Sequence, residues 1–165
     1  MKLITNNNNK TLQETAQLLI ENAEGFSSTW YQDSMGNDTI GYGFKAGGMA
    51  QKYNLDLYKS RPMTELEGIL ILENIISEIG IALRMKLPFF INLPINQAAV
   101  LIDMAYNLGL RQFYAFAIFL SYIEKGQIDN AVADLTDTLW YQQVKNRAVR
   151  DCFNLYAQPT NLYLM

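Results

Sequence analysis

The sequence has no histidine and a single cysteine, Cys152, among its 165 residues. Without histidine, the chain cannot build a Ser-His-Asp or Cys-His nucleophilic centre or a histidine-based metal site. One cysteine excludes an intramolecular disulfide and does not report an oxidising compartment, so we interpret Cys152 as a small core residue. Any acid-base chemistry must therefore come from carboxylates, lysine or tyrosine.

An excess of basic residues is also missing. The chain has 13 lysines and arginines against 16 aspartates and glutamates, which gives a formal net charge of −3. General nucleic-acid binding requires basic residues that displace the counterions of phosphates. We therefore expect no nucleic-acid partner.

Long apolar runs are absent as well. Residues 69–83 form the most apolar stretch, but polar residues and Gly80 interrupt it before it reaches the roughly 18 apolar residues of a membrane span. The first ten residues contain neither an apolar core nor a small-residue cleavage site, so we expect no secretory signal. The sequence predicts a monomer made in the cytoplasm, without stable membrane insertion.

Half of the residues are hydrophobic, which is enough for a substantial core. Two capping-box sequences, Thr11 to Glu14 and Thr64 to Glu67, predict helix starts. The first helix should end before Gly25, and the second should run to about residue 87. Between them, segments 29–32 and 39–42 flank a turn at residues 33–36 and predict a short hairpin.

The remainder of the chain reads as almost entirely helical. Asn96 is positioned to cap a helix over residues 97–108, and Gly109 should end it. Further helices are expected over residues 116–125, 129–140 and 143–156. The fold class predicted is α+β, mostly α, arranged as one domain. It comprises an N-terminal lobe (1–63), a connecting helix (64–87) and a C-terminal helical lobe (88–165), with a cleft between the lobes.

Glu24, Asp33 and Thr39 are the candidate catalytic residues. Each alone has a structural interpretation: a solvated helix-end acid, a turn aspartate and an ordinary strand threonine. Their positions favour chemistry, because a helix C-terminus disfavours an ionised Glu24 whereas turn amides keep Asp33 ionised. Two carboxyls held in opposite protonation states are typical of acid-base cleavage of a glycosidic bond.

The segment from Glu24 to Gly43, with Asp33 nine residues after Glu24 and Thr39 six further on, resembles the active-site segment of the phage-type lysozymes, glycoside hydrolase family twenty-four, and especially the T-even phage type. The resemblance extends over most of the chain and implies a lysozyme-like fold. Residues 95–109 resemble the family's central helix, and residues 140–141 and 146–148 resemble elements of its C-terminal lobe.

The resemblance implies a general acid at Glu24 and a water positioned by Asp33 and Thr39. It also implies substrate contacts at Tyr42, Tyr106, Asn107 and Phe116; for the last three, packing or capping is an equally good interpretation. The family's substrate is the β-1,4 link between N-acetylmuramic acid and N-acetylglucosamine in bacterial peptidoglycan, cleaved by inverting hydrolysis. No metal or organic cofactor is expected. A lytic transglycosylase and a non-catalytic glycan-binding or interaction module are the alternatives.

The sequence departs from the family's pattern in three respects. Phe44 stands where the family has a histidine, which predicts altered stability or pH response with the chemistry retained. Leu139 replaces an arginine and removes one expected glycan contact. The acidic net charge removes electrostatic attraction to an anionic wall. Without a signal peptide, such an enzyme would reach the wall through a membrane pore, a virion or a secretion system.

Overall fold

The computed structural model describes residues 1–5 and 10–165 of the chain. Two short 3₁₀ helices, Leu55–Lys59 and Pro88–Asn92, accompany the main elements. The strands of the described residues are β1 (Lys2–Thr5), β2 (Ser27–Gln32), β3 (Asp38–Gly41), β4 (Phe44–Lys45) and β5 (Asn161–Leu164). The α-helices are α1 (Leu12–Glu24), α2 (Gly48–Lys52), α3 (Glu65–Lys86), α4 (Ile95–Leu108), α5 (Leu110–Phe113), α6 (Ala117–Glu124), α7 (Ile128–Thr136), α8 (Leu139–Val144) and α9 (Asn146–Tyr156). The α+β, mostly α fold predicted from the sequence is confirmed.

Both capping boxes form. The Thr11 hydroxyl accepts from the Glu14 amide at 3.2 Å, and the Glu14 carboxylate accepts from the Thr11 amide at 2.7 Å. The same reciprocal pair starts α3 at Thr64. Helix α1 ends at Glu24, because the backbone of Gly25 turns to φ +67°, a conformation in which glycine has no steric penalty.

The predicted hairpin forms strands β2 and β3 of a three-stranded antiparallel sheet in the order β2-β3-β4. Tyr31 pairs with Thr39 across β2 and β3. The turn between them is closed by a hydrogen bond from the Gly36 amide to the Asp33 carbonyl at 2.9 Å. The sheet fixes the positions of Asp33 and Thr39, the second and third candidate catalytic residues.

The two ends of the described chain form a sheet that the sequence did not predict. Strand β1 pairs antiparallel with β5, with Lys2 opposite Leu164. Helix α1 also packs against α4. Strand β1 and helix α1 thus pack with the C-terminal part of the chain. The predicted N-terminal lobe, residues 1–63, did not anticipate these contacts. The lobe boundaries stay a prediction.

Asn96 does not cap α4, so this prediction was wrong. The helix starts one residue earlier, at Ile95, and Pro94 occupies the capping position. The Asn96 side chain is buried, and its amide donates to the carbonyls of Gln158 at 2.9 Å and Asn161 at 2.6 Å. It therefore anchors the turn before β5.

The C-terminal helices are shorter than predicted. The stretch expected as one helix over 129–140 is divided between α7 and α8, with Thr138 capping the second. The helix expected over 143–156 is interrupted at Lys145, whose φ of +42° is not helical. Residues 143 and 144 belong to α8, and α9 begins at Asn146. This interruption sets the direction of α9 and of the arginines on it.

Helices α4 and α3 contribute more side chains to the core than any other element. Cys152 is buried, as predicted. Phe44 is fully buried in the core as well. In the described ranges, 1–5 and 10–165, no helix has the length and apolar character needed to cross a membrane.

Candidate active site

Glu24 is the last residue of α1 and is ion-paired with Arg147 on α9. Arg147 Nη1 donates to Glu24 Oε1 at 2.5 Å across 123 residues of chain. The Glu24 side chain is 23% exposed, whereas that of Arg147 is 7% exposed. The interpretation of Glu24 from its helix-end position was incomplete, because a buried guanidinium supplies positive charge there.

Gly43 borders the other oxygen of Glu24. A Cβ built on Gly43 would lie 2.8 Å from Glu24 Oε2, and the backbone of Gly43 has a φ of +88°. Both the close approach and the conformation require glycine. The Glu24 carboxyl is therefore held between Arg147 on one side and the backbone of Gly43 on the other.

Arg147 is itself fixed by Asp103 on α4. Its Nε donates to Asp103 Oδ2 and its Nη2 to Asp103 Oδ1, both at 2.9 Å. Such a two-bond pairing sets the plane of the guanidinium as well as its position. Asp103 is fully buried, so Glu24 is oriented by a charge pair inside the core.

Asp33 is held by the amides of its own turn. Its Oδ1 accepts from the Met35 and Asn37 amides at 2.9 and 2.8 Å, and the Asn37 side chain donates to both carboxylate oxygens. Lys45 on β4 lies 3.4 Å away. The hydrogen bonds from Asn37, with smaller contributions from Met35 and Lys45, lower the pKa of Asp33 to about 2. The turn amides that the sequence places beside Asp33 do contact it, and the lowered pKa agrees with the prediction that Asp33 stays ionised.

Thr39 is buried and joined to Asp33 through Asn37. Its hydroxyl donates to the Asn37 carbonyl at 3.0 Å, and the Asp33 amide donates to the same carbonyl at 2.9 Å. Asn37 thus orients both residues.

Tyr31 lies on the hairpin within the electrostatic influence of both acids. It pairs with Thr39 on the sheet, and burial, followed by the negative charges of Glu24 and Asp33, raises its pKa. Both carboxylates are therefore near the face of the hairpin that carries Tyr31. The catalytic roles of Glu24, Asp33 and Thr39 stay a prediction.

The four residues expected to contact substrate do not share one environment. Tyr42 is 4% exposed and donates to Glu65 at 3.2 Å; burial, then the charges of Glu21 and Glu65, raises its pKa to about 12. Its side chain packs in the core, a position that does not favour a sugar contact. Its carbonyl accepts from the Tyr106 hydroxyl at 2.6 Å, which ties α4 to the sheet.

Asn107 and Phe116 lie around Trp140. Asn107 is exposed, and its side-chain oxygen accepts from the Trp140 indole at 2.8 Å. The Phe116 ring meets the Trp140 ring edge-to-face at 6.3 Å. Leu139, next in sequence, is 67% exposed. Sugar contacts by Tyr106, Asn107 and Phe116 stay predictions.

A cavity of about 780 Å³ lies on the other side of the hairpin. Trp30 and Asp38 line it, and side chains alternate between faces along a strand, so it faces away from their neighbours Tyr31 and Thr39. None of the three candidate catalytic residues lines it. Among the described residues, no cluster of three or more acidic or cysteine side chains is arranged to hold a metal ion.

The mostly helical α+β fold, with a helix-end carboxylate facing a small sheet, is that of a lysozyme-like protein. The family model for phage lysozyme matches residues 21–151, which is well over half of the chain, and the chain therefore belongs to the phage lysozyme family. Among curated proteins, none matches the chain significantly. Membership of this family supports a glycosidase of the lysozyme type that acts on peptidoglycan.

Sequence reasoning missed four residues that shape the site: Asp103, Arg147, Asn37 and Gly43. Asp103 is a charge in an otherwise apolar stretch of α4, and Arg147 and Arg150 are three residues apart on α9. Those two features signalled a buried ion pair. Residues three apart share a helix face, and an isolated charge on an apolar face needs a partner.

Proposed function

We propose that the chain hydrolyses the β-1,4 bond between N-acetylmuramic acid and N-acetylglucosamine in peptidoglycan, by a single-displacement, inverting reaction. The observation that carries this proposal is the contrast between two carboxyls. Glu24 is held by a buried guanidinium and a glycine backbone, whereas Asp33 is held ionised by its own turn.

Glu24 is the general acid in this proposal. Arg147 donates to Oε1, so Oε2 is the oxygen that carries the proton to the leaving glycosidic oxygen. Once the proton has left, the Arg147 charge stabilises the carboxylate that remains. The same arginine thus favours the product state of the proton transfer.

Asp33 and Thr39 act on the attacking water. Ionised Asp33 is the general base that takes one proton from the attacking water. The Thr39 hydroxyl, whose own hydrogen is directed to the Asn37 carbonyl, accepts a hydrogen bond from the other hydrogen of that water. In an inverting reaction, this water stands on the face of the sugar opposite the acid.

The first test is wall clearing by the Glu24→Gln variant. Glutamine keeps the shape of the side chain and can accept from Arg147, but it cannot supply an acidic proton, so we expect a loss of at least about 10²-fold in clearing rate. Glu21→Gln, on the same helix one turn earlier, is the matched control and should clear walls as the parent does. Clearing by Glu24→Gln at the parent's rate would overturn the proposal.

A further inference from the structure

Five charged side chains converge behind the site in a cluster formed by Glu24, Asp103, Arg147, Arg150 and Asp151. The side chains of Asp103, Arg150 and Asp151 are completely buried. Three carboxyl groups thus face two guanidinium groups. Burial penalises an ionised carboxyl, and neighbouring carboxylates raise each other's affinity for a proton, so the buried members of the cluster favour a state in which one carboxyl is protonated.

Arg150 identifies the two carboxyls that compete for that proton. Its Nη2 donates to Asp103 Oδ2 at 2.7 Å and to Asp151 Oδ1 at 2.8 Å, so the two acids meet at one nitrogen. Its Nη1 donates to the Leu19 carbonyl at 2.6 Å, which fixes the guanidinium against α1. Two carboxylates this close in a buried site do not both ionise readily.

The hydrogen bonds assign the proton to Asp151. Asp103 accepts from both arginines, whereas Asp151 accepts from Arg150 alone. Asp151 Oδ2 is buried and, within the described part of the chain, no donor faces it. An oxygen in that state is the natural position of a hydroxyl hydrogen, which can be donated to Asp103.

The electrostatics of the cluster agree with this assignment. Burial, followed by the charge of Asp103, raises the pKa of Asp151 well above 3.8. For Asp103, burial acts in the same direction, but the charges of Arg147 and Arg150 outweigh it and lower the pKa. The other titratable groups near Asp151 are Cys152 on the same helix, and Glu24 and Tyr106 beyond Arg147.

We propose that Asp103 and Asp151 form a buried acid pair sharing one proton, and that Asp103 is a positioning residue that fixes Arg147 against Glu24. The second part rests on the proposed hydrolysis, while the first is independent of it. With the proton on Asp151, both arginines remain bonded to Asp103. When that proton is lost as the pH rises, a second buried anion attracts the arginines, and the Arg147 contact to Glu24 changes.

The shared proton is tested by infrared spectroscopy of the parent chain and of Asp151→Asn at neutral pH. A protonated carboxyl has a carbonyl stretch that a carboxylate lacks, so the difference spectrum of parent minus variant should contain this band, whereas the contribution of a protonated Glu24 is common to both chains and cancels. Asp137→Asn, at an exposed aspartate, is the matched control and should keep the band. A difference spectrum without the band would overturn the shared proton.

Thermal unfolding against pH gives a second readout that does not depend on activity. A folded-state pKa above the unfolded one means that the parent loses stability as pH rises from about 4 towards the folded value. Asp151→Asn lacks this loss. Its Tm should match the parent's near pH 3 and then exceed it by an amount that grows with pH. A constant difference at all pH values contradicts the shared proton.

The positioning role is tested by kinetics. Asp103→Asn should lower kcat by about a hundredfold while KM stays near the parent's value, because the acid is displaced rather than the glycan. A folded Asp103→Asn variant with the parent's kcat and pH profile would overturn it. If that variant does not fold, the positioning role is tested by the fall of kcat on the high-pH side of the pH profile, compared between the parent and Asp151→Asn. Both chains lose kcat when the general acid deprotonates, but only the parent has a further loss from the ionisation of Asp151, so identical high-pH limbs would overturn the role.

Discussion

Glu24 and Asp33 are held by donors of different kinds, and this difference separates their chemistry. Glu24 depends on one arginine from the far end of the chain, whereas Asp33 depends on amides within four residues. The Asp33 arrangement is local and could be read from the sequence as a turn that begins with aspartate. The Glu24 arrangement needs the folded chain, because nothing in the sequence near residue 24 indicates residue 147.

Gly43→Ala should reduce both activity and stability. A methyl group there would meet Glu24 Oε2 at 2.8 Å, so the carboxyl must move, and displacing a reacting group costs up to about 10²-fold in rate. The positive φ adds backbone strain of about 1–2 kcal/mol. Wall-clearing rate and urea unfolding would measure the two effects.

Gly126→Ala separates strain from displacement of the acid. Gly126 also has a positive φ, +66°, but no atom lies within 4 Å of its added Cβ. This control should lose a similar amount of stability and no activity. Equal activity losses in the two variants would contradict the role of Gly43 in holding Glu24.

Asn37→Ala should raise the pKa of Asp33 from about 2 towards its ordinary value of 3.8, because it removes the side-chain hydrogen bonds that make the largest contribution to lowering it, while the backbone amide of residue 37 still donates. A depressed folded pKa adds stability above pH 3.8 that disappears as the pH falls through about 2. The parent is therefore more stable at neutral pH than in acid, and this difference in the free energy of unfolding should be smaller in the variant. Carbon NMR titration of the Asp33 carboxyl measures the shift directly.

Lys45→Ala is the companion to that experiment. Lys45 makes the smallest contribution to lowering the pKa of Asp33, so its removal should move the titration less than Asn37→Ala does. A larger shift in Lys45→Ala would show that charge, rather than the turn, keeps Asp33 ionised.

The elements that the sequence predicted well are those started by local signals. The capping boxes at Thr11 and Thr64 and the glycine ends depend on residues within four positions of one another. Strand β5 was missed because its partner, β1, lies at the opposite end of the chain. The break at Lys145 was missed because lysine does not favour a positive φ, and its helical neighbours conceal the interruption.

Thr64→Ala should destabilise α3 at its start. The Thr64 hydroxyl accepts from the Glu67 amide at 3.3 Å, and loss of such a cap costs about 1 kcal/mol. Thr136→Ala, near the end of α7, removes a threonine without a capping role and should change the free energy of unfolding less. Urea unfolding of both variants provides the comparison. Equal losses would mean that the cap does not contribute.

At the scale of the whole molecule, the net charge of −3 governs encounter with the substrate. A negatively charged enzyme approaches an anionic wall against electrostatic repulsion. Salt at 0.1 M largely screens that repulsion at separations beyond a Debye length of about 10 Å. We therefore expect wall clearing to accelerate as salt is raised from low ionic strength. Clearing rates at several salt concentrations would measure the dependence.

A charge-swapped variant tests the cause of that dependence. Glu124 and Asp137 are exposed, and replacing both by lysine would bring the net charge above zero. This variant should clear walls faster than the parent at low salt and slow down as salt is added. Unchanged salt dependence would exclude long-range repulsion as its source.

In the proposed reaction, the chain adds water across a glycosidic bond by means of Glu24. Digestion of purified peptidoglycan in ¹⁸O-water, followed by mass spectrometry of the fragments, tests it most directly. We predict reducing muramic acid ends that each contain one ¹⁸O atom with the parent chain, and none with Glu24→Gln. Anhydro-muramic ends would indicate a transglycosylase, and wall binding without any new ends would indicate a glycan-binding module. Either result would contradict the account.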